Sequence, residues 1–588
     1  MIPSANGEKR KDISVVIAGK AGDGVLFTGN TLAKILKRQG WEVVTTRDFP
    51  SNIRGEATNY IVRASQRRIY GRSDSIDILL AFDCDAVFRH VRSVAGGGIV
   101  LCDGEGVEEM AESIRRGKAF HRFMLRKMAR ENFGQEIFKN MIALGALSYI
   151  LTLDCPILEK IIAETFLKRK GKDIVEKNIQ AVNLGWKAAG EIIRENERHP
   201  LTKMKDRGRL ILSGDEAIAL GSLAAGCRFI SAYPICPASE IWQSLAVYLP
   251  GFNGAVIQTE DELAAIHMAL GASYAGARAM TSTSGPGASL MMEAFSLAGM
   301  AEIPVVIVHV QRLGPATGIP TKSQQGDLLQ WIFGGHGEFP RIVLSPGTIE
   351  ECFAFTAKAF HLAEQYQCPV VVLIDEDMGQ NLRTARRFNF RKIKIRRGKL
   401  LSPKELLRLK NFKRYEFTAD GISRRAIPGT KNGLHMVEGN EHDERGYRDE
   451  DPTNRRRMME KRMKKLKSAL KDRVVSRIWG DQNATIGIMG TGSTIGPILE
   501  AMSQLRSKGV PSRFLQLRTL WPFPANEVEN FLKGCRHDFV VENNFTGQLA
   551  GLVRSQVQSI PRLTSILKYS TLPFKPGEIS RKILRAFQ

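Results

Sequence analysis

Apolar residues in this chain come in short, nearly unbroken runs, each followed by a turn and then by a stretch with helical spacing. The first run is Val15-Val16-Ile17-Ala18-Gly19; then come Ala21-Gly22-Asp23-Gly24 and an amphipathic stretch through Leu36, a strand, glycine turn and helix. Further apolar segments at 76–82 and 98–102, separated by helical patterns, argue for a parallel α/β sheet, and helical spacing runs from 140 to 195. A second series predicts strands at 229–232, 256–258, 305–310 and 370–374, with Leu263, Ile266 and Leu270 on one face of an intervening Ala- and Gly-rich helix. A third begins at 485–489, turns at Gly490-Thr491-Gly492-Ser493, continues as a helix through Leu505, and adds strands at 513–517 and 539–542.

The expected fold is therefore α/β, with three doubly wound parallel-sheet units at 12–198, 210–382 and 480–588. A polar linker, 199–209, joins the first two. A basic connector, 383–479, joins the last two; it carries Pro403, Pro428 and Pro452 and ends in a helix rich in lysine and arginine. At 588 residues the chain is too long for one hydrophobic core, so several units are required.

Composition changes this picture little. Apolar residues make up 43% and charged residues 25%, as in ordinary soluble proteins, and no apolar run approaches the ~20 residues that span a bilayer. The N-terminal dozen residues are polar, without an apolar core of the signal-peptide kind, so the expectation is a cytoplasmic protein with no membrane partner. Eight cysteines lie at 84, 102, 155, 227, 236, 352, 368 and 535 with no Cys-x-x-Cys spacing, so no zinc ribbon or iron–sulfur cluster is assembled from local ligands and no metal site is expected on this chain.

Charge adds more. A net charge of +24 raises nucleic-acid binding as an alternative. Much of the excess lies in 383–399 and 455–473, with few aromatic residues between the charges and no nucleic-acid-binding signature beside them. The expectation is no nucleic acid; an acidic protein partner or an anionic cofactor would use the same field.

Candidate chemistry starts at Tyr233-Pro234-Ile235-Cys236-Pro237-Ala238-Ser239-Glu240. A strand ends there in two prolines, which keep Tyr233 and Cys236 out of helix until Ser239 or Glu240 begins one. Three further segments follow strands. Gln258-Thr259-Glu260-Asp261-Glu262 opens a helix, where acidic residues are stabilised by the macrodipole. Thr281-Ser282-Thr283-Ser284-Gly285-Pro286-Gly287 has small residues that admit a ligand close to backbone. Gln311-Arg312-Leu313-Gly314-Pro315 puts a guanidinium at a strand's carboxyl end, where its fork fits a carboxylate.

These motifs resemble the 2-oxoacid:acceptor (ferredoxin) oxidoreductases, and the order of units resembles a fused gamma–alpha subunit, as in 2-oxoglutarate:ferredoxin oxidoreductases. The resemblance covers nearly the whole chain. Region 12–198 is similar to the gamma domain, 210–382 to the domain covering the thiamine aminopyrimidine, and 480–588 to the transketolase-C-terminal-like domain.

The resemblance implies oxidative decarboxylation of 2-oxoglutarate to succinyl-CoA with electrons to ferredoxin, or the reverse carboxylation. Pyruvate, branched-chain or aryl oxoacids, or a non-catalytic regulatory paralogue, remain alternatives. It implies thiamine diphosphate shared with a beta subunit that carries magnesium and the iron–sulfur clusters, coenzyme A as co-substrate, and an (alpha-beta)2 hetero-oligomer.

Residue by residue, it implies Glu260 as the catalytic acid on the aminopyrimidine, with Asp261 and Glu262 doing only the work of first-turn charges. Ser284, Gly285, Pro286 and Gly287 would lie beside the cofactor. Tyr233, Cys236, Ser239 and Arg312 would bind substrate, with Lys322 and Arg341 as further cations for a dicarboxylate. Cys236 departs from the family's threonine, a better hydrogen-bond donor. Gly22 and Gly24, with Arg54 in the loop that also holds Arg47 and Asn52, would meet coenzyme A; alternatively they only shape a turn. Gly22-Asp23-Gly24 lacks the paired asparagines of a magnesium–diphosphate motif and is rejected as one. Two C-terminal segments, 520–524 and 541–548, would suit subunit contacts.

Overall fold

A computed structural model describes residues 11–50, 55–104, 117–558 and 563–586. The chain divides into two compact units: Met1–Leu212 with Asn381–Arg387 and Lys575–Gly577, and the remainder.

In the first unit the described strands form one sheet in the order Ala119–Arg122, Val94–Cys102, Ile76–Ala81, Asp12–Lys20, Ala57–Ser65, Glu42–Asp48, Arg383–Ala385, Leu210–Leu212. The first four are parallel, with Ile17 beside Leu80, but every later pairing is antiparallel, with Ile17 opposite Tyr60. The sheet is thus only half the parallel array expected. The period-2 runs in 42–48 and 57–65 return directly onto the first strand instead of crossing over a helix. Leu210–Leu212, placed by the sequence pattern at the start of the second unit, pairs with Arg383–Ala385 at this sheet's edge.

Helices Lys139–Leu151 and Lys172–Ile192 cross at two glycines. A Cβ at Gly145 would lie 2.0 Å from the Val182 carbonyl, and one at Gly185 would lie 1.9 Å from that of Ile142, so the backbones touch where side chains are absent.

The second unit holds two sheets. One runs Thr519–Trp521, Ile342–Leu344, Pro369–Asp375, Val305–Gln311, Ala279–Thr283, Phe229–Ala232, Ala255–Gln258, parallel except for the first strand. The other runs Arg477–Gly480, Arg513–Gln516, Ile486–Gly490, His537–Glu542, Leu563–Leu567, parallel except for the first. After Phe229–Ala232 the chain adds Ala255–Gln258 on one side and Ala279–Thr283 on the other. The order therefore reverses there, and such a point opens a crevice at the strands' carboxyl ends.

The connector does end in a basic helix, Pro452–Lys471, but its charge is not all outward. Lys461, Arg462 and Lys465 lie on the buried face. Lys461 and Lys465 donate to the Glu302 carboxylate, and Arg462 donates to Glu441. Arg397 and Arg425 similarly surround buried Glu364. Part of the basic excess is thus paired inside the unit. Among the described residues no helix is long and apolar enough to cross a membrane.

Candidate active site

Four adjacent parallel strands, Val305–Gln311, Ala279–Thr283, Phe229–Ala232 and Ala255–Gln258, deliver the predicted segments to one edge of the seven-stranded sheet. Parallel strands end on the same side, so this clustering follows from topology alone.

Arg312 ties three of those segments together. Its side chain is buried; Nη1 donates to the Cys236 carbonyl at 2.7 Å and Nη2 to the Thr317 carbonyl at 3.0 Å. Nε is buried without a hydrogen-bond partner and lies 3.0 Å from where a Cβ on Gly285 would stand. Gly285 has φ +40°, and the missing Cβ lets the guanidinium pass. Burial lowers the Arg312 pKa, with partial compensation from Cys236, Asp327 and Glu262, yet an arginine stays charged at any ordinary pH.

The helix of the proline turn begins at Ser239, whose hydroxyl donates back to the Ile235 carbonyl at 3.1 Å. Tyr233 is exposed beside it. The Cys236 thiol donates to the Pro320 carbonyl at 3.5 Å. Burial first, then nearby Glu376, push its pKa up to about 11, so it is a neutral thiol and not a nucleophile.

The two glutamates of 258–262 behave differently. Glu260 is exposed just before helix Glu262–Tyr274. Asp261 caps that helix by accepting from the Ala264 N–H at 2.7 Å, as a first-turn acid should. Glu262, expected to do the same, is 5% exposed. A Cβ on Gly287 would stand 2.4 Å from its Oε1 and 2.3 Å from the Thr283 hydroxyl, so this carboxyl packs into the Ser–Gly loop. Burial raises its pKa, and Asp261 adds to the rise. The signal was in the sequence. Glu262 precedes Ile266 by four positions and shares its face; the buried face is Glu262, Ala265, Ile266, Ala269, Leu270 and Ser273, whereas Leu263 is exposed.

The hydroxyls of Thr281, Ser282, Thr283 and Ser284 are all buried without hydrogen-bond partners. Four consecutive orphaned hydroxyls ask for an explanation. A polar cofactor supplied at the strand ends is one that their chemistry suits.

Arg341 does not join this site. It precedes Ile342–Leu344, at the amino end of a parallel strand, and its guanidinium stacks 3.7 Å over the Phe339 ring, a packing role. Lys322 is half-buried just beyond the Arg312 loop, with its carbonyl accepting from the Leu313 N–H. Asn543 and Asn544 bond within the chain, to the Ser323 and Gln325 carbonyls, while Gln548 donates to that of Gly326. They brace 323–326, which follows the Arg312 loop in the chain. Only the fold revealed that bracing.

In the first unit Gly22 and Gly24 both have positive φ, and Gly24 precedes helix Val25–Arg38. A Cβ on Gly24 would collide with Asn140 at 2.1 Å. Asp23 accepts from Lys139 at 2.6 Å and from Arg126 at 3.1 Å. Burial alone would raise its pKa, but the Lys139 and Lys20 hydrogen bonds lower it on balance. Its carboxylate is thus committed to two cations. Beside it, Asp103, Arg122, Arg126, Lys127 and Arg130 line a cavity of about 480 Å³, which sequence reading missed. Arg54 and Asn52 lie outside the described residues. All eight cysteines are free thiols, and among the described residues no cluster of His, Cys, Asp or Glu is arranged to hold a metal ion.

Loops at a switch point, a buried guanidinium among them and unsatisfied hydroxyls beside it are features of an α/β fold whose strand ends suit a polar cofactor and an anionic substrate. Comparison with known proteins makes the class specific. Family models match residues 14–188 (pyruvate ferredoxin/flavodoxin oxidoreductase), 220–461 (pyruvate flavodoxin/ferredoxin oxidoreductase, thiamine diphosphate-binding) and 484–570 (pyruvate:ferredoxin oxidoreductase core domain II).

The chain is 35% identical to subunit alpha of 2-oxoacid:ferredoxin oxidoreductase 2 of Aeropyrum pernix, over 98% of each chain. It is 36% identical to the 2-oxoglutarate synthase subunit KorA of Methanothermobacter marburgensis, over 63% of this chain and 98% of that one. The solved 2-oxoglutarate:ferredoxin oxidoreductase of Magnetococcus marinus, with 2-oxoglutarate, coenzyme A and succinyl-CoA bound, superimposes with TM-score 0.92 at 34% identity, over 99% of this chain and all of that one. The protein belongs to the family of 2-oxoacid:ferredoxin oxidoreductase alpha subunits, and its thiamine diphosphate-binding domain is part of an oxidoreductase.

Proposed function

We propose that this chain is the fused gamma–alpha subunit of a 2-oxoglutarate:ferredoxin oxidoreductase. It would work with a beta subunit that carries magnesium and the iron–sulfur clusters, in an (alpha-beta)2 assembly. The observation that carries the reading is Arg312, a buried cation held at a switch point between the proline turn and the Ser–Gly loop. The preference for 2-oxoglutarate rests on the KorA relatives and the Magnetococcus enzyme.

In this reading Arg312 holds the oxoacid carboxylate through Nε, its other two nitrogens being fixed by carbonyls, so the donor is aimed before substrate arrives. Cys236, Tyr233 and Ser239 line the substrate side. The buried hydroxyls from Thr281 to Ser284, with Gly285, Pro286 and Gly287, form the wall against thiamine diphosphate, which supplies the carbanion chemistry that lets a 2-oxoacid lose carbon dioxide. Glu260, exposed on this chain, would hydrogen-bond the aminopyrimidine and hold the proton that its tautomer change requires. Coenzyme A then takes the acyl group and ferredoxin the electrons. The turn at Gly22 and Gly24, Arg54 and the cationic cavity at Arg126 suit the phosphates of coenzyme A.

Separate Glu260→Gln and Glu262→Gln variants, purified with the beta subunit, test the assignment by oxoacid-dependent viologen reduction. Glu260→Gln is expected to lower kcat by about 10²-fold or more, whereas Glu262→Gln, at a buried carboxyl packed against the Ser–Gly loop, is expected to cost under about tenfold. The opposite ranking would move the acid to Glu262.

A further inference from the structure

In the first unit the sheet brings two cysteine sulfurs together. Cys102 ends the strand Val94–Cys102, opposite Ala81 at the end of its parallel neighbour, and Cys84 follows Ala81 after a short turn, at the start of helix Cys84–His90. The two Sγ atoms stand 3.8 Å apart, in van der Waals contact. Gly104 leaves them room: a Cβ there would lie 2.9 Å from the Cys84 sulfur and 3.8 Å from that of Cys102. Closing to the ~2.05 Å of a disulfide asks for side-chain rotation and a small backbone shift, not a rearrangement. The two thiols differ in access. Cys84 is half-buried, whereas Cys102 is 1% exposed. Burial first, then the neighbouring Cys84, push the Cys102 thiol up, so a solution oxidant meets Cys84.

The segments that carry these sulfurs also hold Arg126. Its Nη1 donates to the Phe82 carbonyl at 2.6 Å and to Asp103 Oδ2 at 3.2 Å, and its Nη2 donates to Asp23 Oδ1 at 3.1 Å. Phe82 lies just before Cys84 and Asp103 just after Cys102, so two of the three anchors ride on backbone that a bond between the sulfurs would draw together. That backbone is already joined. The Asp103 N–H donates to the Ala81 carbonyl at 2.9 Å, and the Phe123 N–H to that of Cys102 at 2.8 Å. Asp103 and Arg126 line the 480 Å³ cavity, and neither cysteine is among the described residues that line it. A change at the sulfurs therefore reaches the cavity through the anchors of Arg126.

We propose that Cys84 and Cys102 are a reversible dithiol–disulfide site that a hydroperoxide closes, and that closure weakens anion binding in the Arg126 cavity. The effect on the cavity rests on the reading in which it takes the phosphates of coenzyme A. The Cys84 sulfur attacks the peroxide and breaks its O–O bond, so the sulfur is oxidised to a sulfenic acid and the peroxide is reduced to an alcohol, or to water. The Cys102 sulfur then attacks that of Cys84. An S–S bond forms, the S–O bond breaks, and the hydroxide leaves as water with the Cys102 proton. Two thiols and one hydroperoxide thus give one disulfide, one alcohol and one water. An external dithiol reverses the bond by thiol–disulfide exchange.

The test uses the full-length chain purified with its beta subunit, treated anaerobically with hydrogen peroxide, alkylated and digested for mass mapping. A peptide pair joined through Cys84 and Cys102 is expected, and dithiothreitol should separate it. In oxoacid-dependent viologen reduction the KM for coenzyme A is expected to rise about tenfold in the oxidised complex and to return with dithiothreitol. It should not move on oxidation in Cys84→Ser or in Cys102→Ala. Peroxide damage elsewhere falls equally on these variants and does not carry the difference. Absence of the joined pair overturns the proposal and leaves the coenzyme A reading standing. A joined pair with an unchanged KM overturns the control of the cavity. The reduced Arg126→Gln variant then tells the two readings apart: a raised KM keeps coenzyme A in the cavity, and an unchanged one removes it.

Discussion

Lys461 and Glu302, 159 residues apart in sequence, form a buried ion pair at 2.5 Å. Lys465 joins the other carboxylate oxygen, and Arg414 donates to the Glu302 carbonyl at 2.7 Å. Glu302 has φ +52°, an unfavourable backbone for a side chain of its size, and the cations around it hold it there. Burial alone would raise its pKa; Lys461, Lys465 and Arg414 together drive it below the carboxylate range. The connector helix is therefore clamped by its own charges.

Glu302→Gln strands two ammonium groups in the interior. The expected cost is about 3–5 kcal/mol, read from the denaturant midpoint of the unit that melts. Glu302→Leu combined with Lys461→Met and Lys465→Met should recover most of it. A single Gln variant as stable as wild type would mean that water reaches the cluster.

Arg312→Lys keeps the charge but loses the fork that spans Cys236 and Thr317. Oxoacid kcat/KM is expected to fall about 10²-fold with the circular dichroism spectrum unchanged. A value near wild type would remove Arg312 from the substrate shell.

Cys236, with its pKa near 11, should react with iodoacetamide at pH 8 far more slowly than an exposed cysteine, because the thiolate is scarce. Cys236→Thr restores a stronger donor and is expected to lower KM for the preferred oxoacid. Unchanged KM across an oxoacid panel would place the residue outside the pocket.

Asp538 is buried beneath Gly487, where a Cβ would lie 2.2 Å from its Oδ1. Burial raises its pKa to about 6, against partial opposition from Cys535 and Arg513. The folded state thus holds this proton more tightly than the unfolded chain. Its contribution is full below about pH 4 and is lost as pH rises through about 6. Relative to Asp538→Asn, the wild type should lose about 2–3 kcal/mol between pH 4 and 7 in urea titrations. A difference that grows with pH would contradict the burial argument.

How much was legible beforehand varied with the range of the interaction. Apolar runs and proline turns are local, so strands such as Phe229–Ala232 and the helix start at Ser239 were readable. The antiparallel half of the first sheet was not, although its alternation was there, because the series of strand-and-helix units suggested crossovers. Glu262 was misjudged for a related reason: a first-turn acid looks the same whether its face meets water or the Ser–Gly loop.

By itself, then, the sequence determined the α/β class, the family and the segments that reach the strand ends, since each depends on residues close together in the chain. Tertiary structure alone decided which acid is buried, that Arg312 is gripped by Cys236 and Thr317, and that the lysines of the connector turn inward onto Glu302. Burial and charge pairing depend on what other parts of the chain bring to the same point in space, and no local pattern contains that.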